Sequence, residues 1–111
     1  MAEISKESEK KLSQLQMLEQ SMQNLLMQKQ QFQMQQVELE SALKELEKVD
    51  EAYKIIGNIM VLSKKADLKE DLASKKEVAE LRIKNLEKQE SHLREKASKL
   101  QSEILKEMGQ D

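Results

Sequence analysis

Side chains able to transfer a proton or a group near neutral pH are scarce in this sequence. His92 is the only histidine, there is no cysteine, and 21 Asp and Glu are interspersed with 19 Lys and Arg. His92 stands between Ser91 and Leu93, off the apolar repeat, as a solvated helical residue does. A general base or metal ligand needs partners placed around it, and none accompany His92. There is no glycine-rich phosphate loop and no paired nucleophile and base. The carboxylates alternate with lysines at helical spacing, where they stay hydrated or form weak pairs one turn apart. Apolar contact and ion pairing are what remain. The expected activity is to hold other proteins, with no catalytic residue, no metal and no cofactor.

The contact-making residues have their own signature. Seven methionines is a high count for 111 residues, and a flexible thioether suits surfaces that accept varied apolar partners. Met17, Met27 and Met34 fall outside the apolar repeat; for Met27 and Met34 gap-filling beside it is the simpler expectation. Glutamines crowd positions 28, 30, 31, 33, 35 and 36. A net charge of −2 and 2% aromatic residues disfavour a nucleic-acid surface, which needs a basic face and rings for stacking.

These residues must be positioned by helices. In the first half, apolar residues recur in alternating steps of three and four: Leu15, Leu18, Met22, Leu25, Lys29, Phe32, Gln36, Leu39, Leu43 and Leu46. The second half repeats the spacing with Leu72, Lys76, Ala79, Ile83, Leu86, Glu90, Leu93, Ala97, Leu100 and Ile104. This is the seam of a coiled coil, and a chain without proline has nothing that forces a helix to break. Backwards, the first seam weakens through Lys11 and Ser8 to Ile4. Asp67 with Glu70 resembles a capping box and sets the second helix start near Leu68; Gly109 suits its stop.

Between the halves the period changes. Tyr53-Lys54-Ile55-Ile56-Gly57-Asn58-Ile59-Met60-Val61-Leu62 is poor helix sequence. Two short apolar runs around Gly-Asn predict a β-hairpin, with Gly57 supplying the positive φ of a type II′ turn. One domain over 1–111 is therefore expected: a helix over about 4–50, a hairpin over about 52–64 and a helix over about 68–108. The fold class is mainly α, an antiparallel two-helix coiled coil on the order of 60 Å long.

Folding back pairs Leu15 with Ile104, Leu18 with Leu100 and so on to Leu46 with Leu72. In this register Lys29 meets Glu90, a pair of opposite charges that a one-heptad slip would separate. They are read as a register device, against the alternative that both side chains snorkel to water. Tyr53, Ile55, Ile56, Gly57, Ile59, Met60, Val61 and Leu62 present more apolar surface than the chain can cover. An isolated hairpin is marginal in water, so strand pairing between copies is expected, with packing on the mouth of the coiled coil as a partial competitor. At the free ends, fraying is expected to expose Ile4, Leu12, Leu15, Met17, Leu18, Met22, Leu100, Ile104, Leu105 and Met108 to clients.

The segment Tyr53 to Val61, between two coiled-coil arms, resembles the hallmark of prefoldin β-class subunits, roughly Val-Tyr-Lys-Leu-Val-Gly-x-Val-Leu-Val. Glu80-Leu81-Arg82-Ile83 continues the likeness, and the helix–hairpin–helix plan extends it over nearly the whole chain. Ala52 departs from the frequent valine. The resemblance implies an archaeal-type β subunit, since the single hairpin is the β-class form. It implies a hexamer with two α-class subunits for four β, whose hairpins build a β-barrel platform carrying the coiled coils. It further implies an ATP-independent holdase that takes unfolded polypeptides at the coiled-coil tips and delivers them to a group II chaperonin. The rival function is a structural adaptor or spacer with one fixed protein partner. No apolar run reaches the roughly 18 residues of a membrane span, and no signal-peptide core is seen. A cytoplasmic protein is expected, with neither membrane nor nucleic acid as partner.

Overall fold

A computed structural model describes residues 5–109. Its elements run α1 (Lys6–Glu47), β1 (Ala52–Ile56), β2 (Ile59–Ser63) and α2 (Lys65–Glu107). The fold is a pair of long antiparallel helices joined by a two-stranded antiparallel hairpin. Ile4 lies outside the described residues.

Local chemistry sets the ends of α1. Ser5 Oγ accepts the Ser8 backbone N–H at 3.1 Å while the Ser5 carbonyl accepts that of Glu9 at 3.0 Å, the arrangement of an N-cap. Glu7 and Glu9 in the first turn favour the positive end of the helix dipole. At the other end, the N–H groups of Lys48 and Val49 reach back to the carbonyls of Glu45 and Leu46, at 3.1 and 3.4 Å, tightening the last turn. The Lys65 ammonium donates to the Glu47 carbonyl at 3.3 Å. That carbonyl needs no further helix to satisfy it, and α1 stops at Glu47, short of the expected 50.

The hairpin pairs Ala52 with Ser63, Tyr53 with Leu62, Lys54 with Val61, Ile55 with Met60 and Ile56 with Ile59. Gly57 has φ +61° and no other residue type has positive φ among the described residues. A positive φ at the first turn position alone is the type II′ form, whereas type I′ needs it at both.

The start of α2 corrects the expectation. The helix begins at Lys65 rather than near Leu68, with the Leu68 N–H bonded to the Lys64 carbonyl at 3.1 Å. Asp67 therefore lies inside the first turn, where its charge favours the helix dipole, and is not the capping residue. A hairpin of minimal turn length returns the chain straight into a segment of good helix formers, and no separate capping loop is needed. α2 closes at Glu107: Gly109 has φ +73° and its N–H bonds the Lys106 carbonyl at 3.0 Å, a left-handed cap.

The helices pack in two compact units, one of Gln30–Lys84 and one formed by residues up to Lys29 with those from Asn85 onward. In the first, Leu46, Ala79 and Ile83 are buried; in the second, Leu86, Ala97, Ile104 and the polar Ser8. Every seam residue assigned from spacing between Leu15 and Ile104 is buried or half-buried. The fully buried positions fall mostly on α2, whose alanines leave room for the larger α1 side chains. Met17, Met27 and Met34 are well exposed, so Met27 and Met34 do not fill gaps. No described helix is long and apolar enough to cross a membrane.

Candidate functional site

Two surfaces could meet other proteins, the hairpin and the helix termini. Cross-strand partners share a face of a sheet, so Tyr53, Leu62, Ile55 and Met60 form one face and are all apolar. Lys54, Val61, Ile56 and Ile59 lie on the other, with Ala52 and Ser63 at its base. All seven large apolar residues are exposed, from 72% at Ile55 to 38% at Val61. The competing idea, that they pack onto their own coiled coil, is thereby excluded for the wholly apolar face. Among the described residues each strand pairs only with the other, which leaves one edge of each unpaired.

At the helix termini the sequence reading and the structure part company. The ends do not splay: Ser8 Oγ donates to one carboxylate oxygen of Glu107 at 2.6 Å, and the Lys11 ammonium bonds the other. Lys11 also lies 3.4 Å from Glu103. This latch ties the first turns of α1 to the last turn of α2. Ile104 is buried beneath it at 5% exposure, while Leu12, Leu15, Leu18, Met22, Leu100 and Met108 are half-buried. Of the expected contact residues that are described, Met17 and Leu105 alone stand well into solvent, at 66% and 47%. Apolar exposure here comes from side chains aimed out of a closed pair.

The latch titrates in a defined direction. The Lys11 hydrogen bond, then that of Ser8, holds the Glu107 carboxyl below the usual range, and the same Glu107 contact raises Lys11. A carboxyl depressed in the folded state adds stability above its unfolded value and loses it as pH falls through the folded one. Lys11 adds stability below its unfolded value and loses it as pH rises through its raised one. The latch is thus closed across neutral pH and opens in acid, as pH falls below the ordinary carboxylate range and through the lowered value of Glu107. Lys11→Gln is expected to return the Glu107 titration, followed by its carboxyl NMR shift, towards the ordinary value. An unmoved curve would show that Lys11 does not hold it.

The structure brings Lys29 and Glu90 together, Nζ to Oε2 at 3.3 Å, with both side chains about four-fifths covered. Glu90 also binds Arg94 one turn on, at 2.6 Å, a partner the seam pattern does not reveal. Lys29→Glu would leave two carboxylates in the seam and is expected to destabilise by about 2 kcal/mol, read from the denaturation midpoint. Adding Glu90→Lys should restore only part, because the new lysine faces Arg94. A Lys29→Glu chain as stable as the parent would remove the register role. Two further contacts, unforeseen in the sequence, brace the helices: Arg82 lies 5.5 Å over the Phe32 ring, and Gln36 donates to Glu80 at 3.2 Å.

Such a chain falls in the class of helical hairpin proteins that carry an exposed two-stranded β-hairpin between their two long helices. Comparison with known proteins places it further. The profile of the prefoldin subunit family matches residues 9–111. A prefoldin subunit beta of Archaeoglobus fulgidus is 39% identical over 107 residues, covering 94% of this chain and 92% of that protein. One from Pyrobaculum neutrophilum is 41% identical over 91 residues, covering 79% and 72%. The crystal structure of the prefoldin beta subunit from Thermococcus strain KS-1 superposes with a TM-score of 0.91 at 32% identity, covering 97% of each chain. The chain belongs to the prefoldin subunit family, is similar to its archaeal β subunits, and is a chaperone subunit of prefoldin type.

Proposed function

We propose that this chain is one β-class member of an ATP-independent holding chaperone of the cytoplasm, assembled as two α-class and four β-class subunits. The observation that carries the reading is the exposed hairpin, with one face wholly apolar and both edges unpaired. An edge strand of this kind pairs with another unless it is blunted; joining hairpins into a closed barrel removes every free edge. The exposed residues Tyr53, Ile55, Ile56, Gly57, Ile59, Met60, Val61 and Leu62 are the assembly surface. The helix termini, with Met17 and Leu105 outermost, receive non-native polypeptides and pass them to a group II chaperonin. Several termini share one client, so weak contacts multiply.

Diluting a chemically unfolded protein into buffer containing the chain and an α-class partner, without nucleotide, tests this by light scattering. Suppressed aggregation is expected. An adaptor for one fixed partner would leave scattering unchanged, and that result would overturn the holdase reading.

A further inference from the structure

Beside the latch, the helices leave an open groove of about 520 Å³ on one side of the seam. Its floor is the half-buried Leu18 and Leu100, the exposed Met17 forms an apolar wall, and the α1 rim is the neutral Gln14 and Ser21. The groove exists because Ser21 is too short to cover the gap. The α2 rim carries Lys96 and Lys99, with Glu103 at its end.

A second groove, of about 530 Å³ within Gln30–Lys84, has heptad-equivalent residues: Gln35 for Gln14, Leu39 for Leu18, Ala42 for Ser21. The two differ in charge. In the second, Lys75 pairs with Asp71 at 3.4 Å and Arg82 lies over Phe32, while Glu38 and Val78 stand where the first has Met17 and Lys99. In the first groove, Glu103 is engaged by Lys11. Glu95 and Glu103 lie one turn on either side of Lys99, yet neither Lys96 nor Lys99 has an ion-pair partner among the described residues. Lys96 has no carboxylate one turn away on α2 at all; its neighbours there are His92 and Leu100. An apolar floor beside uncommitted ammonium groups is complementary to an apolar segment carrying negative charge.

We propose that this groove binds segments of non-native polypeptide in which large apolar side chains are accompanied by Asp or Glu. The apolar side chain lies against Met17, Leu18 and Leu100, and carboxylates of the segment pair with Lys96 and Lys99. This rests on the reading that the helix termini receive clients, and adds a selectivity that apolar contact alone does not give.

The test uses the assembled complex and two unfolded synthetic peptides of Leu, Ser and Glu, the second with every Glu replaced by Gln. Fluorescence anisotropy is expected to show the acidic peptide bound about fivefold tighter, as two partly exposed pairs provide, with the preference shrinking as salt is raised. In K96Q/K99Q the two peptides should bind alike, whereas K88Q, at an exposed lysine away from the groove, should keep the preference. Equal binding by the parent complex, or a preference that survives K96Q/K99Q, overturns the proposal. So does a change of assembly mass in K96Q/K99Q, which would make the groove a contact between copies. If the parent protects aggregating clients yet binds both peptides equally, only the groove proposal falls. If protection itself is absent, the holdase reading falls with it.

Discussion

Ile55→Asp combined with Met60→Asp is expected to convert the assembled complex into separate chains, while leaving the helical content of each chain intact. These residues face each other across the hairpin on its wholly apolar side, next to the pair Tyr53 and Leu62 and nearer the turn. Covering such side chains contributes about 1.5–3 kcal/mol each, and forcing two carboxylates into the same dry contact costs several more. Together these exceed the roughly 4 kcal/mol that weakens association a thousandfold. None of the four is buried in the coiled coil, so circular dichroism should be unchanged. Native mass measurement reads the assembly directly. Lys54→Gln, on the opposite face, supplies the contrast and should have a small effect. A double-Asp complex of unchanged mass would mean that this face is not the assembly surface.

That prediction is more specific than sequence alone permits, and the reason lies in what periodicity encodes. The seam was readable because apolar spacing reports which helix face is covered, and Gly57-Asn58 fixed the hairpin register because a two-residue turn permits only one. The division of the hairpin into an apolar face and a face bearing Lys54 follows from that register. Exposure could not be read the same way: Ile and Met at 59 and 60 look equally suited to packing on the parent helices. The latch was half legible. Lys11 and Ser8 lie on the backward extension of the first seam, and one further step beyond Ile104 places Glu107 opposite Lys11. Treating polar seam residues as mere weakening of the repeat hid a tie between the termini. The α2 start was missed because Asp-x-x-Glu is a frequent pattern inside a first turn as well as before it. The groove over Leu18 and Leu100 depends on how far Ser21 and Gln14 reach, a matter of side-chain volume that spacing does not carry.

Removing residues 1–15 and 102–111 is expected to abolish client protection while the complex keeps its full complement of subunits. The cut takes away Ser8, Lys11 and Glu107, and with them the bonds that close the termini. It also removes Leu12, Leu15, Ile104, Leu105 and Met108, so the pair Leu18 and Leu100 becomes the outermost layer. A terminal layer with no cap or latch above it frays, and the groove built on those residues loses its shape. The remaining contacts per chain are weak, and multivalent binding depends on the product of such contacts rather than their sum. A tenfold loss at each of several termini therefore reduces holding to background. The hairpin is untouched by the deletion, so native mass should report an intact assembly and light scattering should report unprotected client. Normal suppression of aggregation by the shortened chains would move client capture away from the termini. The exposed side chains between the two surfaces would then be where to look, among them Met27, Met34 and Val37 on α1 and Val78 and Leu81 on α2, because they are large apolar groups outside both surfaces that are already in contact with water.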